Sequence, residues 1–316
     1  MFDLWHTVPV QTSFANSFHQ SDSFLLPFAR SYVTLDILFA ESPTHKNMEE
    51  SERMDLGLTN QVALVAAASQ GIGYACALKL AEAGAIISMC ARNPERLETA
   101  ASTIRERTGA TVWSLPVDVT QPDQIEAWIQ QTVDRFNQIN ILVTNAGGPP
   151  ATPFMATGDG QWQKGVDLTL MSVIRLIRGV IPHFQRVGGG QIVNITSVSV
   201  YQPIPRLLMS NVIRPAVHGL TKSLADEYAA ENIRINNVCP GYTLTERVQE
   251  LVADKCKSEG VSEAEALAMF TSAIPMRRMA QPAEIANAVL FYASTLSSYV
   301  TGTSLLVDGG FVKANL

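Results

Sequence analysis

Charge is scarce in this chain. Asp, Glu, Lys and Arg make up only 16% of its 316 residues, and the balance is acidic, at −6. A chain of that sign offers no electrostatic footing for nucleic acid or an anionic membrane surface. Cysteine is scarcer still. Cys76, Cys90, Cys239 and Cys256 stand far apart, with no CxxC pair and no histidine at zinc-ligand spacing. That scatter argues against a disulfide framework and a metal centre, so no metal is expected. Thiols set in strand or helix interiors are ordinarily buried and reduced, which points to the cytoplasm. Long apolar runs are missing too. The most apolar part of the N-terminal region, Phe24–Ala40, is interrupted by Pro27, Arg30 and Asp36, and is too short and polar to span a bilayer. No Lys or Arg precedes the first apolar cluster and no small-residue cleavage site follows one, against a signal peptide.

What is present is core material: 47% of the residues are hydrophobic, enough for one large α/β domain with a tail. Residues 1–53 lack sustained periodicity and end in the polar run Glu49–Arg53. They read as a disordered or loosely docked extension, with residues 54–316 as the folded domain. Met54, eight residues ahead of the first strand, is a candidate natural start.

The chain is organised around Gln61–Arg92. Val62–Ala66 is a continuous apolar run suited to a strand buried on both faces. A small-residue turn, Ala67–Gln70, leads into Gly71-Ile72-Gly73, and apolar residues then recur at helical spacing (Ile72, Cys76, Leu80) until Gly84. Ile86–Cys90 reads as a second buried strand. This strand–turn–helix–strand unit is the form that places phosphates over a helix N-terminus. Strands and helices alternate from there to Ser304–Val307. They include two long helices, Gln161–Phe184 and Leu207–Ala230, and a mixed-charge excursion from Tyr242 to Ala280 that suits a lid. Seven strands alternating with helices imply a single doubly wound parallel sheet, Rossmann-like, with helices on both faces. In such a sheet the turns at Ala67–Gly73, Ala91-Arg92, Asp118-Val119, Asn145–Gly148, Ser197 and Pro240-Gly241 fall at the strands' carboxyl ends and line one crevice.

The SQGIG turn, Asp118-Val119, the TNAG segment Thr144–Gly147, Ser197, Pro240-Gly241 and the terminal VDGG (Val307–Gly310) together resemble the short-chain dehydrogenase/reductase superfamily, over essentially all of Met54–Leu316. Within it the likeness is to bacterial 3-oxoacyl-carrier-protein reductase-like members. The resemblance implies a nicotinamide cofactor on Ala67, Ser69, Gln70, Gly71, Ile72 and Gly73. Asp118 and Val119 would meet the adenine edge, Asn145, Ala146 and Gly147 the ribose, and Pro240-Gly241 the far wall. Ala67 departs from the family, whose first turn residue is Gly. An NAD-preferring site needs a carboxylate after the second strand, where this chain has Ala91 followed by Arg92. A guanidinium there suits a 2′-phosphate, so NADP(H) is the expected cofactor.

The family's catalytic set is altered. Ser197 matches the family Ser. Thirteen residues on, the family's Tyr position holds Ser210, and four further the Lys position holds Arg214; the resemblance implies that Arg214 also binds cofactor, bonding the nicotinamide ribose hydroxyls as the family's Lys does. The family's Asn falls at Thr169. An alkyl hydroxyl is a far weaker acid than a phenol, whose reference pKa is about 10, and arginine does not give up its proton. Three readings stand: a reductase in which Ser197, Ser210 and Arg214 stabilise an oxyanion; a cofactor-binding protein acting through a partner; and a non-redox enzyme in the same crevice. Tyr201 and Tyr242 are the candidate displaced phenols, with packing as their ordinary role. The first reading makes the partner a small-molecule carbonyl substrate. Apolar residues on more than one face of the two long helices (161–184 and 207–230) point to a homodimer or homotetramer through them.

Overall fold

The computed structural model describes residues 54–315; the reading of residues 1–53 as an extension lies outside them. Seven strands form one parallel sheet: β1 (Val62–Val65), β2 (Ile86–Ala91), β3 (Val112–Pro116), β4 (Ile141–Thr144), β5 (Gly190–Ile195), β6 (Ile233–Pro240) and β7 (Ser304–Val307). Their order is β3-β2-β1-β4-β5-β6-β7, every pairing parallel. The order reverses between β1 and β4, in register at Ala63↔Ile141 and Val65↔Val143, and this opens the crevice at their carboxyl ends.

Helices cover both faces. On one lie α1 (Gly71–Glu82), α2 (Pro94–Thr108) and α9 (Pro282–Ala293), packing Leu80, Leu97, Ile104 and Val289 on Ile87 and Ile141. On the other lie α3 (Pro122–Phe136), α5 (Ser172–Val187) and α6 (Leu208–Tyr228), where Trp128, Ile177, Val180 and Phe184 meet Leu64 and Leu142. Central strands β1 and β4 are buried at every position, which is why their sequences are apolar without alternation. Each such large side chain stabilises the fold by about 1.5–3 kcal/mol. Among the described residues no helix is long and apolar enough to cross a membrane.

Two expectations are refined. The long helix at 161–184 is present, running without a break from Asp159 to Val187, but its winding is not uniform. It is α4 (Asp159–Val166), a π turn over Asp167–Met171, and then α5. A π turn inserts one residue and slips the apolar pattern by a single position, too small a shift to stand out in a helix with apolar residues on several faces. The excursion 242–280 is largely helical, containing α7 (Glu246–Glu259) and α8 (Glu263–Ser272). Val248, Val252, Ala266 and Ile274 give it a small core of its own beneath the crevice mouth, with Val198, Ile204, Met279 and Phe311.

Candidate functional site

At the carboxyl ends of the strands lies a cavity of about 810 Å³, large enough for a dinucleotide end and a small substrate. The phosphate turn forms its first wall. Ala67 sits at φ +49° and Gly71 at φ +57°. Ala67 therefore keeps the left-handed conformation that the family's Gly adopts freely, at roughly 1–2 kcal/mol for an L-residue. Its carbonyl receives Asn145 Nδ2 at 3.3 Å, tying the end of β4 to the turn after β1. Gln70 caps α1 without a side-chain hydrogen bond, and no acidic residue occupies the first turn. The helix thus presents its backbone N–H groups and positive dipole end to the cavity. Ser69, Gln70, Gly71 and Ile72 line it, while Gly73 lies buried beneath, where a Cβ would stand 2.3 Å from the Ala67 oxygen.

The next wall is basic. Asn93 caps α2 by accepting from the Arg96 N–H at 2.8 Å, with Pro94 at the first helical position. That turn sets Arg92 and Arg96 side by side on the cavity rim, both exposed, with Arg96 hydrogen-bonded to Gln70 Oε1. Arg96 went unnoticed in the sequence. Its signal was there, in its position in the first turn of a helix that starts beside Arg92. Asp118 and Val119 line the same end, and one Asp118 oxygen accepts from both the N–H and the hydroxyl of Thr120 at 2.9 Å. Asn145, Ala146 and Gly147 follow on the loop after β4, and Pro240-Gly241 closes the opposite side.

The deep end carries the altered catalytic set. Ser197, Ser210 and Arg214 all line the cavity. Ser199 links the first two: its N–H donates to Ser197 Oγ at 3.1 Å, and its hydroxyl to the Ser210 carbonyl at 3.4 Å. Arg214 Nη1 donates to the carbonyls of Ile195 (3.2 Å) and Thr196 (2.8 Å), at the end of β5 immediately before Ser197. Burial pushes the guanidinium down to about 10, still charged at neutral pH. Cys239 lies close by, its sulfur 3.0 Å from the Thr196 hydroxyl, but burial raises its thiol, so it stays neutral and is no counter-ion.

The remaining candidates separate. Thr169 sits buried in the π turn and does not line the cavity; among the described residues its Oγ1 is the buried side-chain oxygen or nitrogen without a hydrogen-bond partner. Tyr201 faces β7, donating to the Ser304 carbonyl at 3.4 Å and packing edge-on to His218. Tyr242 does line the cavity, held edge-on between Phe270 and Phe311. Burial raises both phenols, so neither is an activated acid. Sequence reasoning also missed Arg247 of α7, which reaches back to the Pro149 carbonyl at 2.9 Å. Nothing local in the sequence marks it.

A family model described as Enoyl-(Acyl carrier protein) reductase matches residues 66–312. The 3-oxoacyl-[acyl-carrier-protein] reductase FabG of Chlamydia trachomatis is 32% identical over 253 residues, covering 80% of this chain and 98% of that protein. L-Sorbose reductase from Gluconobacter frateurii, solved in complex with NADPH and L-sorbose, superposes with a TM-score of 0.80 at 33% identity, over 83% of this chain and all (100%) of that one. A short-chain oxidoreductase from Pseudomonas aeruginosa PAO1, described as containing an atypical catalytic center, superposes with a TM-score of 0.74 at 32% identity, over 81% and 98% of the two chains. Sheet order, the turn between β1 and α1, and a family model running nearly the length of the described fold agree: the chain is an oxidoreductase of the short-chain dehydrogenase/reductase superfamily.

Proposed function

We propose that this protein is an NADP(H)-dependent reductase of a carbonyl compound, 3-oxoacyl-like in its general form, working with a rearranged catalytic set. The observation that carries this reading is one cavity with an uncapped helix N-terminus and two guanidiniums, Arg92 and Arg96, at one end and Ser197, Ser210 and Arg214 at the other. The cradle fits the cofactor: Gly71 lines the cavity at the helix N-terminus, Gly73 lets α1 pack tightly on the Ala67 turn beneath it, and Arg92 and Arg96 suit a 2′-phosphate bidentately. NADPH in the complex of the sorbose reductase supports the same choice. Bound NADPH would supply a hydride to the carbonyl carbon. The Ser197 and Ser210 hydroxyls and the Arg214 guanidinium would hold the carbonyl oxygen and stabilise the charge that develops on it, an effect of about 3–4 kcal/mol per well-aimed donor. Ser210 is too weak an acid to protonate that oxygen, Tyr201 faces elsewhere, and Tyr242 keeps its proton. Water or the substrate itself is then the proton source. The Pseudomonas aeruginosa oxidoreductase, 32% identical, is likewise described as containing an atypical catalytic center.

A fluorescence titration with NADPH and NADH tests the cofactor assignment. NADPH is expected to bind at micromolar concentration with NADH at least tenfold weaker. Arg92→Glu should cost NADPH roughly ten- to a hundredfold, the range for a charge-assisted hydrogen bond, and leave NADH little changed. Equal binding of the two cofactors, or of neither, rejects the reading.

We further propose that the protein pairs with itself through α5 and α6. Ile174 on α5 and Leu170 in the π turn before it stay only half-buried, and Val212 is exposed on α6, apolar surface that a subunit contact would cover. Sedimentation velocity should give a species of at least twice the chain's mass; a monomer at micromolar concentration rules the pairing out.

A further inference from the structure

The deep end of the cavity holds more positive charge than a neutral carbonyl needs. Arg214 is a guanidinium whose hydrogen-bond partners, among the described residues, are two backbone carbonyls; no carboxylate meets it. Two of its five N–H directions are accounted for at most. Arg247 enters the same cavity from α7. Its Nη2 donates to the Pro149 carbonyl at 2.9 Å and its Nη1 to Glu250 at 2.9 Å, while its Nε would stand 3.2 Å from a Cβ at Gly148. That places the guanidinium against the loop that follows the TNAG segment, on the lining of the cavity. Glu250 only partly offsets it, from the outer side, since its own side chain is largely exposed.

The other charges on this cavity lie elsewhere. Asp118 is at the adenine end, engaged by Thr120. Glu246 lies over the phosphate turn, 3.5 Å from where a Cβ of Gly71 would be. Arg92 and Arg96 belong to the rim beside β2. Arg214 and Arg247 therefore face the substrate end without an acidic partner between them, and they feel each other: after burial, Arg247 is what further lowers Arg214. Two like charges held near one another in a partly desolvated cavity are unfavourable unless an anion joins them. A carboxylate is the match, because its two oxygens can accept from two guanidiniums at once.

We propose that the substrate is an oxo acid, its carboxylate held between Arg247 and Arg214 and its carbonyl directed to Ser197, Ser210 and a further N–H of Arg214, whose Nη1 alone is engaged by backbone carbonyls. The assignment rests on the reductase reading only for the place of the carbonyl. Arg247 then sets specificity: it binds the acid group, and α7 carries it, so an anion draws the lid helix toward the loop at Gly148-Pro149.

The test is calorimetric and needs no turnover. Acetoacetate and levulinate, each beside its methyl ester, are titrated into the full-length protein with and without saturating NADP+, and NADPH affinity is measured on the same samples. Each acid should bind at least tenfold tighter than its ester, with the difference shrinking as salt is raised. Arg247→Gln should remove most of that preference, and Arg247→Lys should restore part of it, with unchanged melting curves showing that both variants fold. Acid and ester binding alike, neither acid binding, or an Arg247→Gln effect confined to NADPH overturns the proposal. Failure of NADPH to bind sinks the reductase reading separately, since acid binding is also read without cofactor.

Discussion

Replacing Gly73 by Ala is expected to lower NADPH affinity at least a hundredfold and to destabilise the fold by about 1–3 kcal/mol, the range for overpacking a tight site. The added methyl would lie 2.3 Å from the Ala67 carbonyl oxygen and 2.8 Å from Asn145 Nδ2. Neither neighbour is a loose side-chain end. The first is backbone of the phosphate turn, and the second is the amide that ties this turn to the end of β4. Relief requires α1 to move away from β1, and that carries the N–H groups of Gly71 and Ile72 off the position where a phosphate would sit. Ala67, already at φ +49°, has no slack to follow. Gly219 supplies the control: it lies in α6 with nothing within 4 Å of where an added methyl would stand, so its change to Ala should be neutral or slightly stabilising. NADPH titration and chemical denaturation of both variants decide the matter. Undiminished affinity in Gly73→Ala would place the phosphates somewhere other than this turn.

The largest stability effect is expected at Arg234. This residue of β6 is buried, and its guanidinium donates to the carbonyls of Ser297 (2.9 Å), Tyr292 (3.1 Å), Ser294 (3.1 Å) and, at 3.4 Å, Val300. It also reaches Ser297 Oγ at 2.7 Å. One cation thus satisfies the carbonyl cluster that ends α9 and carries the chain toward β7. Burial lowers its pKa, yet it stays charged, because the carbonyls replace much of the lost hydration. Arg234→Met keeps much of the volume and strands those acceptors away from water. Ser297 Oγ still donates to Tyr292 and Ser294, so the loss is less than the full sum. About 3–5 kcal/mol is expected, which for a domain of this size lowers Tm by roughly 10 °C. Arg234→Lys should recover little, since a single ammonium cannot span acceptors arranged for a fork. A Tm within about 2 °C of the parent for Arg234→Met would show that water satisfies the cluster without the guanidinium.

These two positions differ in how far the sequence revealed them. Gly73 stands in a turn whose meaning follows from what surrounds it, an apolar strand before and a periodic helix after. Arg234 sits in a buried strand that also carries Asn236 and Asn237, and its partners lie 58 to 66 residues onward. The altered catalytic set was readable for the same reason as Gly73. Ser197, Ser210 and Arg214 keep a spacing along one strand end and one helix, and a helix carries spacing into space with little distortion. The π turn at Asp167–Met171 was not readable, because a local change of winding slips the apolar pattern by only a single position. The phenols divided likewise. Tyr201 and Tyr242 are equal candidates along the chain, and only packing against Ser304 or against Phe270 and Phe311 separates them.

By itself the sequence determined the parallel sheet, the crevice at its carboxyl ends, the basic residue after β2 and the absence of a phenol at position 210. Each of these is written in local periodicity or in the chemistry of a single residue. Tertiary structure alone decided that Arg234 holds the segment after α9 and that Arg247 reaches the Pro149 carbonyl in the cavity that Arg214 also lines. Those arrangements join residues far apart in the chain, as Arg247 and Pro149 are by 98 positions. No periodicity encodes such a meeting. It arises when strands and helices pack, and the side chains at their ends take whatever acceptors that packing has brought within reach.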